Sequence, residues 1–87
     1  MNEIKTILED MYLFKYIGGR HTPEKKFLRK IIIIILDKKQ RREFIKEYKQ
    51  IINDGLIIRE FKRTKKSMDW HISLNPRKIK EIQEVIK

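Results

Sequence analysis

The chain contains no cysteine and no alanine, two prolines, three glycines and one tryptophan in 87 residues. Without cysteine there is no disulfide framework and no thiolate to serve as metal ligand or nucleophile. No apolar run approaches the roughly 18 residues that a membrane-spanning helix requires. The opening stretch MNEIKTILEDMYLF mixes acids with apolar residues, unlike a signal peptide. The protein is therefore expected to be soluble and cytoplasmic. A chain of this length makes one domain and buries only about 60–65% of its unfolded surface, which leaves no room for a deep substrate cavity. The sequence offers no nucleophile–base pair, no carboxylate dyad and no phosphate-binding glycine loop, so an enzyme is not expected, nor a cofactor or a small-molecule ligand. His21 and His71 are the only histidines. Neither has a companion at metal-ligand spacing, and both are expected to be structural or exposed.

What is present is isoleucine, 17 residues, and lysine, 15 residues. That bias suits an AT-rich genome or a heat-adapted host. Lysine and arginine number 22 against 12 acids, a formal net charge of +10. A domain this basic points first to a polyanion, nucleic acid before an anionic membrane surface.

Apolar residues at helical spacing (Ile4, Ile7, Leu8, Met11, Phe14) predict a first helix over residues 3–17, stopped by Gly18-Gly19. A second helix is expected over 23–36, with Thr22 as N-cap, Pro23 in the first turn and Glu24 complementing the helix N-terminus. It carries the run IIIIIL at 31–36. Because that run is apolar all round, its end is expected to be the most enclosed part of the domain, with Ile31, Ile32 and Ile35 in the core. Ile33, Ile34 and Leu36 are then surplus, available for a subunit contact. Asp37 is the expected N-cap of a third helix over 38–54, with Gln40 as capping-box partner, Phe44, Ile45, Tyr48, Ile51 and Ile52 on its apolar face, and Gly55 as C-cap. Beyond Gly55 the period changes to two. Strands are expected over 56–63 and 68–75 with a tip at TKKS, and a last helix over 76–86 opened by Asn75-Pro76.

Helix, helix, helix, hairpin, helix, with FIKEYKQIINDGLIIREFKRTKKSMDWHISLNP as its second half, resembles the winged helix-turn-helix DNA-binding family. YIGGRHTPE together with SLNP resembles small archaeal-type winged-helix proteins. The six-residue apolar run and the short turn after it depart from the family pattern, whose second helix is shorter. The resemblance implies an α+β, mainly α fold: a three-helix core, a two-stranded wing and a C-terminal helix. It implies double-stranded DNA as partner, a transcriptional regulator and a homodimer that spans two half-sites. A protein–protein interaction module and an RNA- or ribosome-associated protein are the alternatives.

By that resemblance the helix over 38–54 is the recognition helix, presenting Lys39, Arg41, Arg42, Lys46, Lys49 and Gln50. Arg42 is the residue placed to read guanine, and Lys39 and Lys46 to contact phosphates. Arg63, Lys65 and Lys66 in the wing are expected at the backbone or minor groove. Lys25 and Lys26, near a helix N-terminus, are expected to hold a phosphate. Residues 37–66 carry 11 basic and 5 acidic side chains, +6 of the total +10. A solvated helix face and a hairpin tip kept soluble by lysine would also account for these patterns. Trp70 shares a strand face with Ile72 and Leu74 and is expected in the core rather than as a stacking platform.

Overall fold

The computed structural model describes residues 2–34, 37–63, 65 and 68–87, the side chains of Asn2 and Ile34 excepted. It is a small α+β fold. In chain order come helix α1 (Asn2–Leu13), strand β1 (Thr22–Pro23), helix α2 (Glu24–Ile34), helix α3 (Lys38–Asn53), strands β2 (Ile57–Arg63) and β3 (Met68–Leu74), a 3-10 turn (Pro76–Lys78) and helix α4 (Ile79–Ile86). The three strands form an antiparallel sheet in the order β1-β3-β2. No helix among the described residues is long and apolar enough to cross a membrane.

The core lies between the helices and one face of the sheet. Ile4, Ile7, Leu8 and Met11 of α1 meet Ile31, Phe44, Tyr48, Leu56, Ile57, Ile72, Leu74 and Ile82 there. α3 begins and ends where its local signals place it. The Asp37 carboxylate accepts the Lys39 N–H at 2.7 Å. At the other end Leu56 N–H donates to Ile51 O and Gly55 N–H to Ile52 O, with Gly55 at φ +82°. That is a Schellman ending, in which a glycine takes the left-handed conformation without steric cost.

α1 departs from expectation. It ends at Leu13, four residues before the predicted limit, and Gly18-Gly19 is not its stop. Lys15 takes the left-handed position (φ +59°), and Tyr16 N–H closes back on Met11 O. The next residues are drawn to the sheet: Leu74 N–H donates to Tyr16 O, and Gly18 N–H to Leu74 O. Phe14, expected in the helical stripe, is 54% exposed.

Thr22 and Pro23 are not the cap and first turn of α2. They form β1, paired with Ile72 and His71, and the helix starts at Glu24. The end of the isoleucine run, expected to be the most enclosed part of the domain, lies outside the described residues; Ile32, expected in the core, is not enclosed. Ile31 is buried, but Ile32 is 38% and Ile33 65% exposed. A helix packed from one side encloses one stripe, whatever the residues on its other faces. Ile35 and Leu36 lie outside the described residues, as does the Ile34 side chain. In α3, Ile45 is likewise exposed, and Ile51 and Ile52 are half-buried.

Leu56 belongs to the turn rather than to β2, and Asn75 follows β3. Asn75 caps the 3-10 turn by accepting Arg77 N–H, and its side-chain amide donates to Gly55 O at 2.8 Å. One side chain thus fastens the end of α3 to the start of the C-terminal segment.

Candidate nucleic-acid interface

Successive residues of an α-helix turn by about 100°, so Lys39, Arg42, Lys46, Lys49 and Gln50 fall within roughly 100° of arc. All five are exposed, and the buried residues Phe44 and Tyr48 lie on the opposite side of α3. None of the four cations in this stripe is ion-paired among the described residues. Gln50 is tied along the helix to the Asp54 carboxylate at 3.0 Å. Arg41 is exposed but falls outside the shared arc, so it does not belong to that face. Glu43 and Glu47 border the stripe on one side and the exposed Ile45 on the other.

The hairpin carries a second group of cations. Arg63 ends β2 and Lys65 stands in the bend after it, both exposed. Lys66 lies outside the described residues. Lys25 and Lys26 are exposed in the first turn of α2, a third group joined to neither of the others by any hydrogen bond or ion pair among the described residues.

What connects α3 to the hairpin was not legible from spacing. Glu24, at the head of α2, is buried. Its carboxylate accepts the Tyr48 hydroxyl at 2.7 Å and takes Arg59 with both oxygens, from Nε at 2.7 Å and from Nη2 at 2.9 Å. α2, α3 and β2 are therefore held by one carboxylate whose charge is met on the spot. Burial and the bond to Glu24 push the Tyr48 hydroxyl above its ordinary range. The same carboxylate raises Arg59, chiefly through the hydrogen bond. The guanidinium of Arg59 also lies 4.0 Å from the Trp70 ring centre. Trp70 is not in the core: it is 37% exposed and meets Phe61 across the hairpin. Alternation assigns its face correctly, but the ring stands farther out along that face than the buried Ile72 and Leu74.

The sheet's other face brings the two histidines together. His21 Nδ1 and His71 Nδ1 lie 2.7 Å apart, with the rings edge to face. One ring must donate and the other accept, so at least one of them is neutral. Desolvation holds His21 below its ordinary pKa, helped by His71 and Lys62, while Glu60 opposes the shift. The pair lines an open hollow of about 350 Å³ with Glu60, Lys62, Ser73 and Arg77. No group of three or more potential metal ligands occurs among the described residues.

No protein-family model, curated protein or solved structure matches this chain. Function must be read from the residues themselves.

Proposed function

We propose that the protein is a winged helix-turn-helix domain that binds double-stranded DNA, with α3 as recognition helix and β2–β3 as wing. The observation that carries this is the stripe Lys39, Arg42, Lys46 and Lys49, a row of exposed cations without an ion-pair partner among the described residues, opposite the buried side of one helix. The element order supports it. Three helices are followed by a two-stranded hairpin and a last helix, the order on which the resemblance rests. The net charge of +10 supports it further. In this reading Arg42 reads a base edge, Lys39, Lys46 and Lys49 hold phosphates, and Arg63 and Lys65 follow the flanking backbone.

Such a small domain makes few contacts alone. We therefore propose a homodimer on two half-sites, acting as a cytoplasmic transcriptional regulator, with the exposed Ile32 and Ile33 available for the subunit contact. Light scattering at about 100 µM that shows only a monomer removes the dimer.

The decisive experiment is duplex binding followed across salt. About six neutralised phosphates give a log–log slope near −5. Arg42→Ala should cost roughly 1–3 kcal/mol on the best site and flatten preference at one base position. Absence of binding at low salt rejects the proposal. A second reading, a protein-interaction module, draws on the groove of about 370 Å³ lined by Leu28, Ile45, Tyr48 and Ile52. It becomes the better account if Arg42→Ala leaves affinity and preference unchanged in a folded protein.

A further inference from the structure

The outer half of the hairpin carries apolar side chains that neither the core nor the proposed duplex contact uses, beside the cations Arg63 and Lys65 that the duplex reading does use. Pairing of Arg59 with Ile72, Phe61 with Trp70 and Arg63 with Met68 puts these six side chains on one face of the sheet. Ile72 belongs to the core, but beyond it Phe61 remains 51% exposed, Met68 54% and Trp70 37%. The Phe61 and Trp70 rings stand 5.3 Å apart at 71°. A cross-strand aromatic pair fixes hairpin register, yet register alone does not require so much apolar area in water.

The charges on this hairpin are sorted by face. Arg59 and Arg63 share the aromatic face, whereas Glu60 and Asp69 lie on the opposite one, where Glu60 is engaged by Lys62 at 2.8 Å. Arg63 and the neighbouring Lys65 have no carboxylate partner among the described residues. Arg59 is held by Glu24 and lies against the Trp70 ring, so that ring is braced from within the protein. The result is a pair of exposed rings flanked by cations, where the one acid placed by the described contacts, Glu24, is taken up by Arg59.

We propose that this face is a stacking site for unpaired nucleobases of single-stranded DNA, with Phe61 and Trp70 as platforms and Arg63 and Lys65 on the phosphates. It rests on the reading of the protein as a nucleic-acid binder. Bases within a duplex hide their flat faces against one another, so α3 and this face take different states of the same polymer. Aromatic platforms beside a cationic track are the physical requirement for holding a single strand without regard to sequence.

Trp70 is the only tryptophan, so its fluorescence reports on this face alone. The probe is oligothymidylate of about a dozen nucleotides, compared with an abasic oligomer of equal length, oligouridylate, polyglutamate and a mixed-sequence duplex. Oligothymidylate should quench Trp70, and the abasic strand, with phosphates but no bases, should bind far more weakly. Phe61→Ala should lower single-strand affinity roughly 5- to 150-fold and leave duplex affinity, followed by anisotropy, unchanged. Phe61→Tyr should retain single-strand binding, which separates loss of stacking from misfolding. Equal binding of the abasic strand, or equal affinity of wild type and Phe61→Ala for oligothymidylate, overturns the inference while the duplex reading stands. Preference for oligouridylate moves the site to RNA and overturns the DNA assignment. A response to polyglutamate alone makes the face a protein contact and overturns it too. If neither single strand nor duplex binds at low salt, the nucleic-acid reading itself fails.

Discussion

The near and far halves of the hairpin are built from the same two strands with the same alternation, and they have opposite fates. In the near half, Ile57, Ile72 and Leu74 are buried. In the far half, the residues continuing that face (Phe61, Met68 and Trp70) stand in water. Alternation decides which way a side chain points, while what packs against that part of the sheet decides whether it is covered. The near half serves the fold and the far half is free to serve a partner.

The strongest attempt to break this contrast is a pair of truncations. Ile72→Ala should destabilise by about 2–5 kcal/mol in urea unfolding, because it opens a cavity in a fully enclosed site. Met68→Ala, on the same face farther out, should stay within about 0.5 kcal/mol. Comparable losses would mean that the far half is packed after all.

At the boundary between the halves stands Glu24. Glu24→Gln keeps the shape but leaves Arg59 without its charge partner, and should cost roughly 2 kcal/mol of stability by the same measurement. A neutral result would show that the outer hairpin is positioned by its own register alone.

A smaller effect is expected in the far half itself. Arg63→Ala with Lys65→Ala should leave the melting temperature nearly unchanged and reduce the salt slope of duplex binding by about two units. An unchanged slope would remove the hairpin from the proposed DNA interface and leave α3 alone.

The smallest effect belongs to the opposite face of the same strands. His21 has a depressed pKa in the fold, so the unfolded chain binds the proton more readily. Stability contributed by neutral His21 is then fully present above about pH 6.5 and declines as pH falls through its lower folded value. Urea midpoints from pH 7.5 to pH 5 should show a decline that His21→Asn reduces. A variant with the same pH profile as wild type would place the cause elsewhere.

The legibility of the fold follows the range of the interactions. α3 was readable at both ends because Asp37 and Gly55 act within a few residues of the backbone groups they satisfy. The end of α1 was not. Its stop lies at Lys15, and residues 16–18 obey Leu74, far along the chain. β1 is two residues long and exists only because β3 is beside it. The cations of α3 were legible as a stripe, since helical spacing alone collects them, and the same geometry sets Arg41 apart. The Glu24, Tyr48 and Arg59 cluster, the meeting of His21 with His71 and the exposure of Trp70 depend on packing between distant segments, for which the sequence holds no local sign.

The brevity of β1 has a consequence for life at high concentration. A sheet edge with free amides invites another strand, and repetition of that step builds fibrils. Here β3 is central, and β1 covers its inner part with a strand half of which is Pro23, which has no N–H to offer a newcomer. Farther out, Asp69 places a charge beside the uncovered stretch, and its carboxylate accepts the Trp70 N–H at 2.8 Å. The other edge, β2, bears Arg59, Glu60, Lys62 and Arg63 in five residues. A chain rich in isoleucine, with aromatic rings in the open, thus denies a second copy a clean edge on which to grow.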